Sequence, residues 1–208
     1  MGYAFYLSAF FPMTRYYRGY RTTSVRLDGW DYRQPAWYFL TICTKNRVCF
    51  FGNVRRGIVG LSRIGCVAHR FWAGIPDHFD HVRLDAFVVM PNHVHGLIGL
   101  MSPPNAAVET LDPTSLQDDV NQNDDPDRDA AINKRMSTIS PKPGSVSTIV
   151  RSYKSAVTRR ARRHGDADFA WQPRFYDHIV RNWRSLQHIR QYIIDNPINW
   201  TRDRHYTR

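Results

Sequence analysis

The stretch Phe87 to Leu100, FVVMPNHVHGLIGL, most constrains what this chain can become. Two apolar runs flank a tight polar break at Pro91-Asn92. Proline presets the first bend and asparagine tolerates an unusual second one, so the spacing predicts a strand, a short turn and a returning strand. Alternate residues of a strand share a face, and positions two apart lie roughly 6.6 Å from each other. His93 and His95 therefore point the same way and Val94 the other. Two imidazoles so placed can converge on one divalent cation. A bare His-x-His tripeptide is also a common accident on a half-exposed strand, so both readings stand on the pair alone.

The rest of the chain builds around this hairpin. Ala36 to Thr44 is β-branched and aromatic and reads as a strand, which Lys45-Asn46-Arg47 turns toward Val48–Phe51. Leu61, Ile64, Val67, Ala68 and Phe71 recur at three and four, which predicts an amphipathic helix with Ser62 at its N-cap and Gly74 and Pro76 at its end. Val82 to Met90 and His93 to Leu100 are the hairpin strands. Val146, Ile149, Val150, Tyr153, Val157 and Ala161 line one side of a basic helix between Gly144 and His164. Phe169 to Val180 reads as a loop leading into a short strand. A last helix runs from Asn182-Trp183 to Asn196, where Pro197 stops it. Strand, helix, strand, strand, helix, strand is the split β-α-β order of an α+β, ferredoxin-like antiparallel sheet, with one additional C-terminal helix.

At 208 residues and 42% hydrophobic, the chain suits one domain with appendages. The apolar start MGYAFYLSAFFPM has no basic residue before it and no small-residue cleavage pattern; residues 1–20 read as an N-terminal extension and 21–208 as the single domain. Charge is unevenly spread. The formal net charge is +11, yet Met101 to Pro143 holds eight acidic and four basic residues, leaving 25 basic and 10 acidic elsewhere. With prolines, asparagines and no aromatic residue, about 103–140 reads as a flexible acidic insertion and its aspartates as a solvated loop. A body that basic, with tryptophans and tyrosines among its arginines, points to nucleic acid before a membrane surface. No apolar run approaches the roughly 18 residues of a membrane span. Three cysteines without a CxxC argue against a disulfide framework and fit a reducing cytoplasm.

In the last helix, His188, Tyr192 and Asn196 are spaced four apart and form one stripe, about a quarter turn from the apolar face of Leu186, Ile189 and Ile193. On spacing alone, Tyr192 equally suits the rim of a core. Tyr153 on the basic helix and Tyr176 on the following strand are the tyrosines that compete with it for any site role.

Three ordered blocks carry a resemblance: YFLTICTKNRVCFFG, MPNHVHGLIGL and WQPRFYDHIVRN with IRQYIIDNPINW. Together they resemble the REP-associated tyrosine transposases, relatives of single-tyrosine transposases within the His-hydrophobe-His endonucleases. The similarity runs from about Arg21 to about Trp200 and is interrupted by the acidic insertion. It implies a ferredoxin-like fold, a nucleophile at Tyr192, and metal ligation by His93, His95 and, one helical turn past the tyrosine, Asn196. His188 would be a proton partner behind the ligands or a plain surface histidine. Two imidazoles and an amide leave room for phosphate and water oxygens, which suits Mg²⁺ or Mn²⁺.

The activity implied is metal-dependent cleavage and rejoining of single-stranded DNA that folds into hairpins, short palindromic REP-like repeats among them. A phenol with a pKa near 10 needs help to attack a phosphodiester; the product is a 5′-phosphotyrosine and a free 3′ hydroxyl. Arg151, Lys154, Arg159, Arg174 and Arg181 are candidate phosphate contacts, and Trp171 and Trp183 candidate stacking groups. Such a protein would work in the bacterial cytoplasm at the nucleoid. The relatives include both dimers and monomers, so a homodimer stays open. The alternatives are a domesticated, non-catalytic binder of hairpin DNA or RNA on the same scaffold, and a basic interaction module with a fortuitous histidine pair. Simple binding does not require two histidines, a tyrosine and an asparagine together.

Overall fold

The computed structural model describes residues 16–17, 20–21, 27, 29–102 and 141–207. The acidic insertion at 103–140 and most of the N-terminal extension lie outside them. The chain divides into two units, residues 1–30 and 31–208. In the first, strands β1 (Tyr16–Tyr17) and β2 (Tyr20–Arg21) pair antiparallel.

The second unit is built on strands β3 (Ala36–Cys43), β6 (Val82–Met90), β7 (His93–Leu100) and β8 (Tyr176–Val180). Their spatial order is β6-β7-β3-β8, and each neighbouring pair is antiparallel. Helix α1 (Arg63–Ala73) joins β3 to β6, and α2 (Val146–Arg163) lies between β7 and β8. This is the expected ferredoxin-like α+β arrangement, and α3 (Trp183–Asp195) is the additional C-terminal helix. Each helix starts at a polar cap. Ser62 Oγ accepts from the Gly65 amide, Ser145 Oγ from Thr148 and Asn182 Oδ1 from Ser185, satisfying N–H groups the first turn leaves open.

Both faces of the sheet are covered, which is why β7 reads as a nearly continuous apolar run and all of it is buried. On one face Tyr38, Leu40, Ile42 and Val94 are buried, and the Trp72 ring of α1 lies against Gly96. The Trp72 indole stands edge-on to Tyr153 of α2, and the Tyr153 hydroxyl donates to the Ala68 carbonyl of α1 at 3.1 Å. On the other face Phe39 and Leu97 pack with Leu186 and Ile193 of α3. Arg190 of α3 forms an ion pair with Asp85, at an irregularity in β6 between Leu84 and Phe87, which fixes the helix on the sheet. The period of two thus sends His93 and His95 toward the α3 face and Val94 toward α1.

One connection differs from its expected form. Asn46 and Arg47 both take left-handed backbone angles, within a short 3-10 turn at Lys45–Arg47, and Val48–Phe51 is not a strand. The hairpin comes later, as β4 (Gly52–Arg55) and β5 (Ile58–Leu61) around an Arg56-Gly57 turn with positive φ at both positions. That conformation matches strand twist, and glycine accommodates half of it. Phe51 is instead buried against Phe169 and Trp171.

Candidate metal and tyrosine site

His93 and His95 open β7 opposite Cys43 and Thr41 of β3 and Met90 and Val88 of β6. Both are completely buried, and their rings lie 4.4 Å apart. Their remote nitrogens are held by neighbours. His95 Nδ1 is 2.9 Å from Thr41 Oγ1, and His93 Nδ1 is 2.9 Å from Asn92 Oδ1. That leaves each Nε2 turned inward. His93 Nε2 is buried without a hydrogen-bond partner. Burial, and secondarily the neighbouring imidazoles and Arg204, hold both histidines neutral to well below their ordinary titration range. Neutral imidazoles are the form in which histidine ligates a metal.

Helix α3 brings Tyr192 to the same place. Its hydroxyl is 3.2 Å from His95 Nε2 and 3.3 Å from Asp203 Oδ2. The residue is 42% exposed, while both histidines beside it are sealed from solvent. Burial, then the negative charge of Asp203, pushes its pKa up to about 12. Asn196, at the C-cap one turn later, is buried; its Nδ2 donates to Asp203 Oδ2 at 3.0 Å, and its Oδ1 has no partner.

Asp203 is not legible in the sequence as a site residue. It follows Pro197 and a 3-10 turn at Trp200–Arg202, in a segment without periodicity. Its Oδ1 accepts from the His205 amide at 2.6 Å. Burial raises this carboxyl, but the His205 backbone N–H and the Asn196 amide outweigh it and keep the pKa below the usual value. His93, His95 and Asp203 each offer a ligand atom within 4.8 Å of the others. His205, also unforeseen, is buried with its ring 4.7 Å from His93. Its Nε2 accepts from Arg204 Nε at 3.1 Å, and Cys43 Sγ lies 3.6 Å from its Nδ1.

The donor set and the unpartnered His93 Nε2 and Asn196 Oδ1 fit a divalent cation. A buried lone pair without a donor is costly unless something positive completes it. Two imidazoles and a carboxylate are a donor set common to several divalent metals.

A protein of Haemophilus influenzae, itself uncharacterised, is 33% identical to this chain over 197 residues, covering 93% of this chain and 98% of that protein. The chain belongs to the family of that protein. No family model matches this sequence. Two solved structures are similar to the chain. A REP-associated tyrosine transposase bound to a REP hairpin has a TM-score of 0.47 and 16% identity, covering 79% of this chain and 68% of that one. A putative transposase from Deinococcus radiodurans has a TM-score of 0.40 and 18% identity, covering 81% and 94%.

The remaining candidate residues are distributed unequally. Tyr153 is buried in the core and burial pushes its phenol far up, while Tyr176 packs edge-on to Phe39. His188 is exposed one turn before Tyr192. Arg151, Arg159, Arg174 and Arg181 are exposed. Lys154 is engaged within the fold. Its ammonium donates to the Gln172 and Arg174 carbonyls at 2.7 and 3.1 Å, and burial lowers its pKa to about 8. Trp171 is half-buried in an aromatic group and donates to the Lys154 carbonyl. Trp183 is 69% exposed, with the Arg190 guanidinium 5.7 Å from its ring. No helix among the described residues is long and apolar enough to cross a membrane.

Proposed function

We propose that this chain is a metal-dependent, single-tyrosine transposase of the REP-associated kind, which cleaves and rejoins single-stranded DNA carrying hairpins. The observation that carries this reading is the half-exposed Tyr192 hydroxyl, within 3.3 Å of both His95 Nε2 and Asp203 Oδ2 in a His-His-Asp group. A tyrosine that merely rims a core has no need of three metal-type ligands beside it. The blocks of sequence that resemble the REP-associated transposases support the same reading and suggest hairpin DNA as the substrate.

The residues divide the work. Tyr192 Oη attacks the scissile phosphorus and the P–O3′ bond breaks, giving a 5′-phosphotyrosine and a 3′ oxygen that takes a proton from solvent. With its pKa pushed to about 12, the phenol has to give up its proton as it attacks. The two atoms beside that proton, His95 Nε2 and Asp203 Oδ2, both belong to the proposed ligand set, so the proton leaves to solvent from the half-exposed hydroxyl. His93, His95 and Asp203, with Asn196 Oδ1, would hold Mg²⁺ or Mn²⁺. When bound, the cation supplies positive charge for the non-bridging phosphate oxygens and the developing phenolate. Asn196 Nδ2 keeps Asp203 turned toward the hydroxyl. Arg151, Arg159, Arg174 and Arg181 are proposed to meet backbone phosphates and Trp183 to stack on a base; Lys154 and Trp171 contribute by holding the loop before β8. Such chemistry belongs in the cytoplasm with the chromosome.

Incubating the protein with labelled single-stranded hairpins and Mn²⁺ tests this. A covalent adduct that survives denaturation and disappears with chelator supports the reading. A metal-independent shift without adduct would instead establish the non-catalytic binder.

A further inference from the structure

Asn92 sits between Pro91 and His93 in the turn joining β6 and β7. Its backbone φ is not positive, so the turn itself does not call for asparagine. The side chain is fully buried, and its amide is divided between partners on opposite sides. Nδ2 donates to the Arg47 carbonyl at 3.1 Å and to the His205 carbonyl at 2.8 Å. Carbonyls only accept, so the NH₂ end must face them and Oδ1 must face His93 Nδ1, 2.9 Å away.

We propose that Asn92 is a positioning residue: it sets the tautomer of His93 and, with the same amide, ties the Asp203 segment to the histidine pair. The role rests on the metal-site reading given above. An amide oxygen cannot donate, so neutral His93 carries its proton on Nδ1 and its lone pair on Nε2. That Nε2 is the buried atom without a partner. The opposite tautomer would set two lone pairs against each other at Asn92 and aim an N–H at the ligand position. Partners of this kind on a ligand's remote nitrogen fix both ring orientation and basicity.

The other end of the amide acts on the carboxylate. His205 is held at both ends of its backbone: its N–H donates to Asp203 Oδ1 at 2.6 Å, and its C=O accepts from Asn92 Nδ2. Arg47 adds a guanidinium bond to the Arg204 carbonyl at 2.8 Å. One buried amide therefore joins the nitrogen ligand on β7 to the oxygen ligand that follows α3. Asparagine is the side chain that serves both, since each role uses a different end of it.

Two substitutions separate the roles. Asn92→Ala removes both ends, whereas Asn92→Asp keeps an acceptor for His93 Nδ1 and loses the donor to the His205 carbonyl. With ¹⁵N-histidine-labelled, metal-free protein at neutral pH, long-range ¹H–¹⁵N spectra should show His93 protonated on Nδ1 in the wild type and in Asn92→Asp. In Asn92→Ala that preference should be lost, and Mn²⁺ affinity should fall by about 10–100-fold, the usual scale for such partners. In Asn92→Asp the His205 amide should exchange faster while the His93 tautomer is kept. A wild-type His93 protonated on Nε2 would overturn the proposal, and so would an Asn92→Ala protein with unchanged tautomer and Mn²⁺ affinity. If Asn92→Ala does not fold, the wild-type and Asn92→Asp spectra still decide. A wild type with the stated tautomer that binds no Mn²⁺ would refute the metal reading and leave the tautomer assignment standing.

Discussion

Tyr192 on α3 and His95 on β7 meet across the sheet face, with the phenolic oxygen 3.2 Å from Nε2 and the rings 5.3 Å apart. The pairing depends on two periodicities that sequence displays openly, two in the strand and four in the helix. It also depends on how α3 is seated by Leu186, Ile193 and the Arg190–Asp85 pair.

Asp203→Asn should weaken Mn²⁺ binding by at least about tenfold, since a hard cation loses its anionic ligand while imidazoles remain. The single asparagine oxygen can serve only one of the two donors, the His205 N–H or Asn196 Nδ2, and the NH₂ end opposes the other, so the melting temperature without metal should fall as well. Calorimetric titration with Mn²⁺ checks this; an unchanged affinity would remove Asp203 from the site.

Acid should destabilise the metal-free fold. In the unfolded chain these histidines protonate near pH 6.5, but burial holds His93 and His95 neutral well below that and lowers His205 to about 4. The unfolded state therefore binds more protons in that window, and stability rises with pH there. The contribution is complete above about pH 6.5 and is lost as pH falls toward the folded values. Melting temperatures should be level near pH 7 and decline from about 6.5 to 4.5. A flat profile across that range would contradict the buried, neutral assignment.

Much of the site is legible in the sequence because it lies on regular elements. Val82–Met90 and His93–Leu100 are strands with the expected bounds, and α3 carries Tyr192 one turn before Asn196 at its C-cap. Asp203 and His205 are not, because the segment after Pro197 has no period and is placed by contacts far away in sequence, with Asn92 and Arg47. Chain order alone gives no sign of such contacts. The β4–β5 hairpin escapes notice for a local reason: Lys45-Asn46-Arg47 is the stronger turn signal, and Arg56 is an uncommon residue at positive φ. Lys154 reads as a phosphate contact by its charge, but tertiary packing gives it two carbonyls to hold.

Gly96→Ala should be costly. A Cβ there would run into the Trp72 ring, in a layer packed between β7 and α1. Overpacking of this sort costs about 1–3 kcal/mol, which urea unfolding resolves easily. A change below about 0.5 kcal/mol would show that the indole can shift freely.

Replacing residues 103–140 with a short Gly/Ser linker should leave folding and Mn²⁺ binding intact. Loop length costs only about 0.6 kcal/mol per doubling. The stretch holds eight acidic residues against three basic ones, so its removal should tighten single-strand binding at low salt and matter less as salt screens the charge. An unfolded product would show that the segment is structural.

The central claim is that Tyr192 is the nucleophile, and Tyr192→Phe tests it most directly because only one oxygen is removed. With labelled single-stranded hairpin and Mn²⁺, wild type should form a denaturation-resistant protein–DNA adduct, and Tyr192→Phe none, while binding the same hairpin within a few-fold. An adduct that persists in Tyr192→Phe and is lost in Tyr176→Phe would contradict the account.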